Sequence, residues 1–466
     1  MRPFLWGAAT AAYQVEGSAG AEGRGSSIWD EFCRRPGAVL GGMTGDLACD
    51  SYRRWPEDLE LLKRLGVGSY RFSVAWPRIQ AEGSGRPLQA GLDHYRRLCE
   101  ALLEAGIEPA ATIYHWDLPS ALEAAGGWPE RDTARRLADY ADILFGALGD
   151  LVGRWFTVNE PWCAAFLGYG QGLHAPGRRD EGEAYRAAHH LLLGHGLALR
   201  AYRARGLAAP IGIVLNPSTP RPATARAEDA AAAERAGAQR TALFLDPLYG
   251  RGYPEAHLAL HPAARPPVEE GDLELIAGPC DMLGINYYDE DAVEAAPAGP
   301  GRLEAWRKAP SWREKTDMGW DIVPEGLYRQ IMALTRRWPI GALYVTENGA
   351  AFRDEPEPAP PAGGFPPSAE PGPAFRVRDR GRIEYLRSHA AACLRARADG
   401  APVEGYYAWS LLDNFEWSLG YSKRFGLVYV DFASGERIPK DSFWFYRDLV
   451  AGQELGAPPA GLSGGS

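Results

Sequence analysis

Eight short apolar runs recur along the chain, each followed by a stretch of helical patterning. They are FLWGAAT (4–10), SYRFSVAW (69–76), EPAATIYHW (108–116), RWFTVNE (154–160), PIGIVLN (210–216), CDMLGINYY (280–288), ALYVTEN (342–348) and VEGYYAWS (403–410). Between them lie segments such as EDLELLKRLG (57–66) and ERDTARRLADYADILFGALG (130–149), with apolar residues at helical spacing and glycine or proline at the ends. Strand–helix alternation predicts parallel strands, and eight units favour a closed (β/α)8 TIM barrel with its active site at the C-terminal ends of the strands. A doubly wound sheet is the alternative. Two segments break the pattern. Residues 354–373, DEPEPAPPAGGFPPSAEPGP, are rich in proline and acidic residues and predict an exposed loop after the seventh strand. Residues 289–315 predict a second long connection after the sixth. One barrel domain over 1–453 and a flexible tail over 454–466 complete the division.

Composition narrows the function classes. The chain has 466 residues and a formal net charge of −10, without long blocks of like charge. That argues against a nucleic-acid partner, which needs clustered positive charge. Cys33, Cys49, Cys99, Cys163, Cys280 and Cys393 are scattered, with no C-x-x-C pair and no nearby histidine at zinc spacing. Such thiols predict a reducing, cytoplasmic setting. The N-terminal stretch lacks signal-peptide character, and no apolar run is long enough to span a bilayer, so no membrane partner is expected. GYGQG (168–172) does not open a dinucleotide-binding unit, and His189, His190 and His195 lack the i, i+4 geometry of a metal pair. No metal site is predicted.

Barrel enzymes carry their chemistry where strands end, and here the ends are unusually polar. Gln14 and Glu16 follow strand one, Arg71 lies in strand two, and His115, Trp116 and Asp117 close strand three. Asn159 and Glu160 close strand four, Asn286, Tyr287 and Tyr288 strand six, and Glu347 and Asn348 strand seven. Trp409, Asp413, Asn414, Glu416 and Trp417 follow on the eighth. Buried charge is costly unless paired or used, so this concentration predicts one polar site ringed by aromatics. Paired carboxyl groups suit acetal hydrolysis, in which one protonates a leaving oxygen and the other attacks or activates water. Each residue also has a bland explanation. Asn348-Gly349 can be a type I′ hairpin turn with Glu347 an exposed strand end, His115 a hydrogen-bonded structural histidine, and Trp6, Trp29 and Trp444 plain packing. Joint occurrence at strand ends shifts the balance toward chemistry.

At these residues the chain resembles family 1 of the glycoside hydrolases, the β-glucosidase family, along nearly its whole length. TVNEP (157–161) is similar to the family's acid/base motif and YVTENG (344–349) to its nucleophile motif. WGAATAAYQVEG (6–17), YRFSVAWPRI (70–79), YHWDLP (114–119), GYGQGLHAPG (168–177), LGINYY (283–288) and the stretch from Trp409 to Asp431 support it in the same order. The resemblance implies a cofactor-independent retaining β-glucosidase, with Glu347 as nucleophile and Glu160 as acid and base. It implies that Arg71, Asn286 and Tyr288 support them, that Gln14, His115, Asn159 and Glu416 bind glycone hydroxyls, and that Trp116, Trp409 and Trp417 shape the pocket. Trp162 and Trp320 fall on the aglycone side, and a cis peptide is expected after Trp409.

Glu416 fits unphosphorylated sugars, because the family's 6-phospho-glycosidases usually have serine there, and an intact Glu160 separates the chain from plant thioglucosidases. The expected partner is a small or oligomeric β-glucoside. β-Galactosidase, β-fucosidase or transglycosidase activity is the alternative within the family, a non-catalytic sugar-binding barrel the alternative outside it, and a homo-oligomer is left open. Met43, Glu130 and Leu151 depart from the usual pattern outside the proposed pocket. The 354–373 insertion leaves aglycone preference open.

Overall fold

The computed structural model describes residues 3–299, 304–358 and 375–452. Most of the 354–373 insertion and the whole 454–466 tail lie outside these residues. Eight parallel strands form a closed barrel: β1 (Leu5–Ala9), β2 (Ser69–Ser73), β3 (Glu108–Tyr114), β4 (Arg154–Asn159), β5 (Ile211–Leu215), β6 (Met282–Asn286), β7 (Leu343–Asn348) and β8 (Val403–Trp409). Each falls within one of the eight apolar runs. Closure is made by β1 against β8, in register from Leu5 opposite Gly405 to Ala9 opposite Trp409, which removes the doubly wound alternative. The short runs are apolar on both faces because both faces are covered. Ala9, Ala110, Phe156, Val214, Met282, Tyr344 and Tyr407 come from seven strands yet form one cluster, so they fill the barrel interior.

Outside the barrel run the helices α1 (Ser51–Leu65), α2 (Gln89–Glu104), α3 (Arg131–Leu148), α4 (Glu181–Ala204), α5 (Ala227–Gly237), α6 (Pro324–Arg337), α7 (Arg380–Ala398) and α8 (Asp441–Val450). On α3, Leu137, Tyr140, Ala141, Leu144 and Leu148 recur at three- and four-residue spacing and are fully buried. Gly66 ends α1 in the left-handed region (φ 73°) and donates its N–H back to Leu62 O at 3.0 Å. The three histidines of α4 do structural work. His189 reaches Tyr253 and Asp272, His190 the Trp128 carbonyl, and His195 lies between Thr157 on β4 and Cys280 before β6.

The described parts of the two irregular segments contain short strand pairs. In the connection after β6, Ala292–Ala295 and Trp306–Lys308 pair antiparallel and join Arg221–Pro222 in a three-stranded sheet that packs on α5. Pro356–Pro358 pair antiparallel with Phe375–Val377, so the start of the insertion forms a two-stranded ribbon rather than a plain loop. Proline is tolerated there because the ribbon is an exposed edge with little ladder to break.

Candidate active site

Both glutamates stand where a barrel ladder slips. The pairing of β4 with β5 shifts between Phe156 and Asn159, and that of β7 with β6 shifts between Val345 and Glu347. A slip breaks the alternation of side chains and re-aims the residue that follows. On β7 the consequence is visible: Tyr344 belongs to the interior cluster, Thr346 Oγ1 donates to Asn286 at 2.7 Å, and the adjacent Glu347 also turns inward to Arg71. Asn348 remains in the strand, its amide donating to the Tyr287 carbonyl and accepting from Tyr406. The hairpin explanation of Asn-Gly is therefore wrong. Gly349 is required because a Cβ there would lie 1.7 Å from the Trp409 carbonyl oxygen.

One hydrogen-bonded network joins the two carboxylates. Arg71 Nη1 donates to Glu347 Oε1 at 2.7 Å, and Tyr288 O–H donates to Oε2 at 2.7 Å. The Asn286 amide donates to Glu160 Oε1 at 2.7 Å, and the Cys163 thiol donates to Oε2 at 3.0 Å. Asn159 Oδ1 stands between them, accepting from Arg71 Nη2 at 2.7 Å and from Asn286 at 3.2 Å. Arg71 is fixed from behind by Thr112 Oγ1 and the Thr346 carbonyl. Burial is the main force on Glu347 and raises it to about 7; Arg71 and Tyr288 oppose the rise, and the charge of Glu160 adds to it.

Around the pair lies a cavity of about 400 Å³, a size suited to a small ligand. Gln14, His115, Trp116, Asn159, Asn286, Tyr288, Trp409, Glu416 and Trp417 line it, with Trp162 and Trp320 on its walls. His115 lies parallel to Trp409 and Trp417, each at 6.1 Å. Burial, helped by Arg71, drives it well below the usual histidine range, so it is neutral. Its Nε2 faces the Asn159 amide at 3.1 Å, while Nδ1 has no partner among the described residues. Gln14 donates to Asn414, to the Phe415 carbonyl and, at 3.4 Å, to Glu416, and its own Oε1 is equally unpartnered. Burial and then the charges of Glu347 and Glu160 push Glu416 up to about 8. Glu160, Trp116 and Trp417 have φ of 45°, 78° and 50°, left-handed conformations that cost about 1–3 kcal/mol each and persist only where surroundings impose them. The expected cis peptide joins Trp409 to Ser410.

Not every polar strand end faces this cavity. Glu16 turns away to Arg78 (2.9 Å) and Tyr95, and Asp413 joins a buried ion network with Lys440 and Arg424. Asp117 is buried with both carboxyl oxygens unpartnered among the described residues, and burial raises it to about 8. Trp29 is packing, as expected, but it packs 4.6 Å behind Trp417. Sequence reasoning passed over Cys163 and Asn216, whose amide donates to the Cys163 sulfur at 3.2 Å, and the rim residues Arg240, Asp289, Asp291 and Lys308. Cys163, three residues after Glu160, was the one with a signal to find. A larger cavity of about 630 Å³ between α5 and α6 is lined mainly by alanine, leucine and proline and holds neither of the paired glutamates.

Comparison with known proteins agrees with this geometry. Residues 1–455 match the profile of Glycosyl hydrolase family 1. The chain is 45% identical over 454 residues to β-glucosidase A of Thermotoga maritima, covering 97% of this chain and 98% of that one. It is 44% identical to a bifunctional β-D-glucosidase/β-D-fucosidase of Bifidobacterium breve, covering 96% and 97%. The structure of a family 1 β-glucosidase from Thermotoga maritima superposes with a TM-score of 0.90 at 44% identity, covering 97% of each chain. With the family profile spanning nearly its whole length and the glutamate pair at the ends of β4 and β7, the chain belongs to glycosyl hydrolase family 1.

Proposed function

We propose that the protein is a retaining exo-β-glucosidase acting on cellobiose, short β-glucans or aryl and alkyl β-glucosides. One observation carries the assignment of roles: Arg71 and Tyr288 both donate to Glu347, whereas among the described residues Glu160 receives only an uncharged amide and a thiol. The cation marks Glu347 as the ionised partner and leaves the proton of the pair on Glu160. A Glu347 oxygen bonds to the anomeric carbon as the glycosidic bond breaks, and the Glu160 proton passes to the departing oxygen. Esterification removes the charge on Glu347, so Glu160 becomes more acidic and next serves as base. A water oxygen then bonds to the anomeric carbon, its proton goes to Glu160, and the ester to Glu347 breaks.

Sugar binding falls to groups that still need partners. Gln14 Oε1 and His115 Nδ1 are buried and free to meet hydroxyls, and burying such atoms unpaired costs roughly 1–3 kcal/mol each. Asn159, bonded to both supports of the pair, is assigned the 2-hydroxyl, Glu416 other glycone hydroxyls, and Trp116, Trp409 and Trp417 the sugar's apolar surface. Trp162 and Trp320 are assigned the aglycone. The bifunctional relative supports β-fucosidase as a second activity of the same pocket. All six cysteines are free thiols, which supports a reducing, cytoplasmic location. A relative from Thermotoga neapolitana named 1,4-β-D-glucan glucohydrolase supports a role in the last step of cellulose breakdown.

A panel of chromogenic β-glycosides tests the proposal with wild type, Glu347→Ala and Glu160→Ala. It fails if wild type is inert on all of them or if Glu347→Ala keeps full rate. Azide added to Glu347→Ala should give the α-glycosyl azide; a β product contradicts the assignment.

A further inference from the structure

Far along the chain from either glutamate, three side chains converge on one point. His257 Nδ1 lies 3.0 Å and His261 Nε2 lies 3.3 Å from the same oxygen, Oε1 of Glu304. All three donor atoms fall within 4.8 Å of one another, and among the described residues no other group of three His, Cys, Asp or Glu does so as a candidate metal set. We propose that His257, His261 and Glu304 bind a divalent transition metal of the zinc class. A zinc ion bonds imidazole nitrogen at about 2.0–2.1 Å and carboxylate oxygen at about 2.0–2.2 Å, which places tetrahedral donors about 3.3 Å apart. The two observed separations match within a few tenths of an ångström. Two imidazoles and one carboxylate suit zinc over magnesium or calcium, which take oxygen donors.

The outer atoms of all three side chains are already held, which separates this cluster from a chance meeting of polar groups. His257 Nε2 pairs with the Tyr185 hydroxyl at 2.8 Å, and His261 Nδ1 with Glu181 Oε1 at 2.6 Å. Glu304 Oε2 accepts from Trp306 Nε1 at 2.7 Å. Each ring is thus oriented through the nitrogen that does not face the centre, the arrangement metal-binding histidines need. The ligands are 2%, 7% and 12% exposed, so an ion would be largely shielded from solvent. His257 and His261 are spaced i, i+4 in the HLALH stretch, a pattern that sequence inspection overlooked while weighing the histidines of α4.

The site joins three segments that are remote in sequence. Glu181 and Tyr185 lie on α4, the histidines in and just after the short helix Glu255–Leu258, and Glu304 just before the strand Trp306–Lys308. That strand carries Lys308 to the rim of the glucoside pocket. Bound metal would therefore act structurally, pinning this wall to the barrel.

The test uses full-length protein stripped with a chelator, then given Zn²⁺ or Co²⁺. Wild type should retain about one Zn²⁺ per chain through dialysis, gain in Tm, and give the visible absorption of tetrahedral Co²⁺. His257→Ala/His261→Ala should lose all three responses. Glu304→Gln keeps the side chain's size and its acceptor for Trp306, and should weaken binding at least tenfold while retaining glucosidase activity. Unchanged affinity in both variants, as free thiols or surface carboxylates would give, means an adventitious ion only and overturns the proposal. So does the absence of retained metal in wild type.

Discussion

Arg71 Nη1 meets Glu347 Oε1 at 2.7 Å with both side chains shielded from solvent. A buried pair of this kind is costly to break from one side, because the remaining charge has no partner. Arg71→Met should cost about 3–5 kcal/mol of stability on that ground. The kinetic consequence has a definite sign. Arg71 lowers the proton affinity of Glu347 against burial and against Glu160, so its loss lets that affinity rise. Attack needs the ionised form; the acid limb of the kcat/KM profile should move to higher pH. At pH 7 kcat/KM should fall by about 10²–10³-fold. An acid limb that stays put would show that Arg71 does not set the ionisation of Glu347.

Glu160 acts on the other limb of the same profile. It is the proton donor of the pair, so Glu160→Gln, which has no proton to release, should leave the acid limb in place and flatten the alkaline limb. The rate effect depends on the leaving group. With an activated aryl glucoside the first step needs little proton transfer and should remain fast, giving a burst of released phenol before a slow steady state. With cellobiose, whose alcohol must be protonated, turnover should drop by about 10²–10⁴-fold. Stopped-flow traces and a pH series on the variant check both claims.

Glu416, pushed up to about 8, carries its proton through the neutral range and can be imitated by an amide. Glu416→Gln should therefore raise KM by less than about tenfold at pH 6, the loss of about one hydrogen bond. Glu416→Ala should lose about 10²-fold in kcat/KM, because it also strips Gln14 of a buried partner. As pH rises past 8 the wild-type carboxyl ionises beside Glu160 and Glu347. Wild-type KM should then rise relative to the Gln variant, which cannot ionise; parallel KM curves from pH 6 to 9 would contradict a protonated Glu416.

Strand periods and turn residues carried most of the architecture, because parallel strands covered on both faces leave continuous apolar runs. Family motifs pointed to the candidate site, and the residues assigned from them line one cavity, apart from Arg71, which reaches Glu347 from beside it. What they could not carry was direction. Glu16, Asp117 and Asp413 have the same strand-end position and charge as Glu160, yet one meets Arg78, one is buried alone and one meets Lys440. The difference for Glu160 and Glu347 is a slip of the ladder, a property of two paired strands rather than of either sequence. Gly349 was misleading for the same reason: the contact that excludes a side chain comes from Trp409, sixty positions away.

Asp117 offers a test of stability rather than rate. Its carboxyl is buried, both oxygens lack partners among the described residues, and burial raises it from 3.8 to about 8. A carboxyl with a raised folded value contributes stability that is complete below its unfolded value and is lost as pH climbs to the folded one. The unfolded chain releases this proton near pH 4, whereas the native state holds it until about pH 8. Between those values each rise in pH favours unfolding through this residue. Asp117→Asn removes the proton equilibrium while keeping size and polarity. Melting curves of wild type and variant at pH 4, 6, 8 and 9 should show the Tm difference moving in the variant's favour up to about pH 8 and levelling off above it. A difference that is constant across the series would mean that Asp117 is ionised in the native state despite its burial.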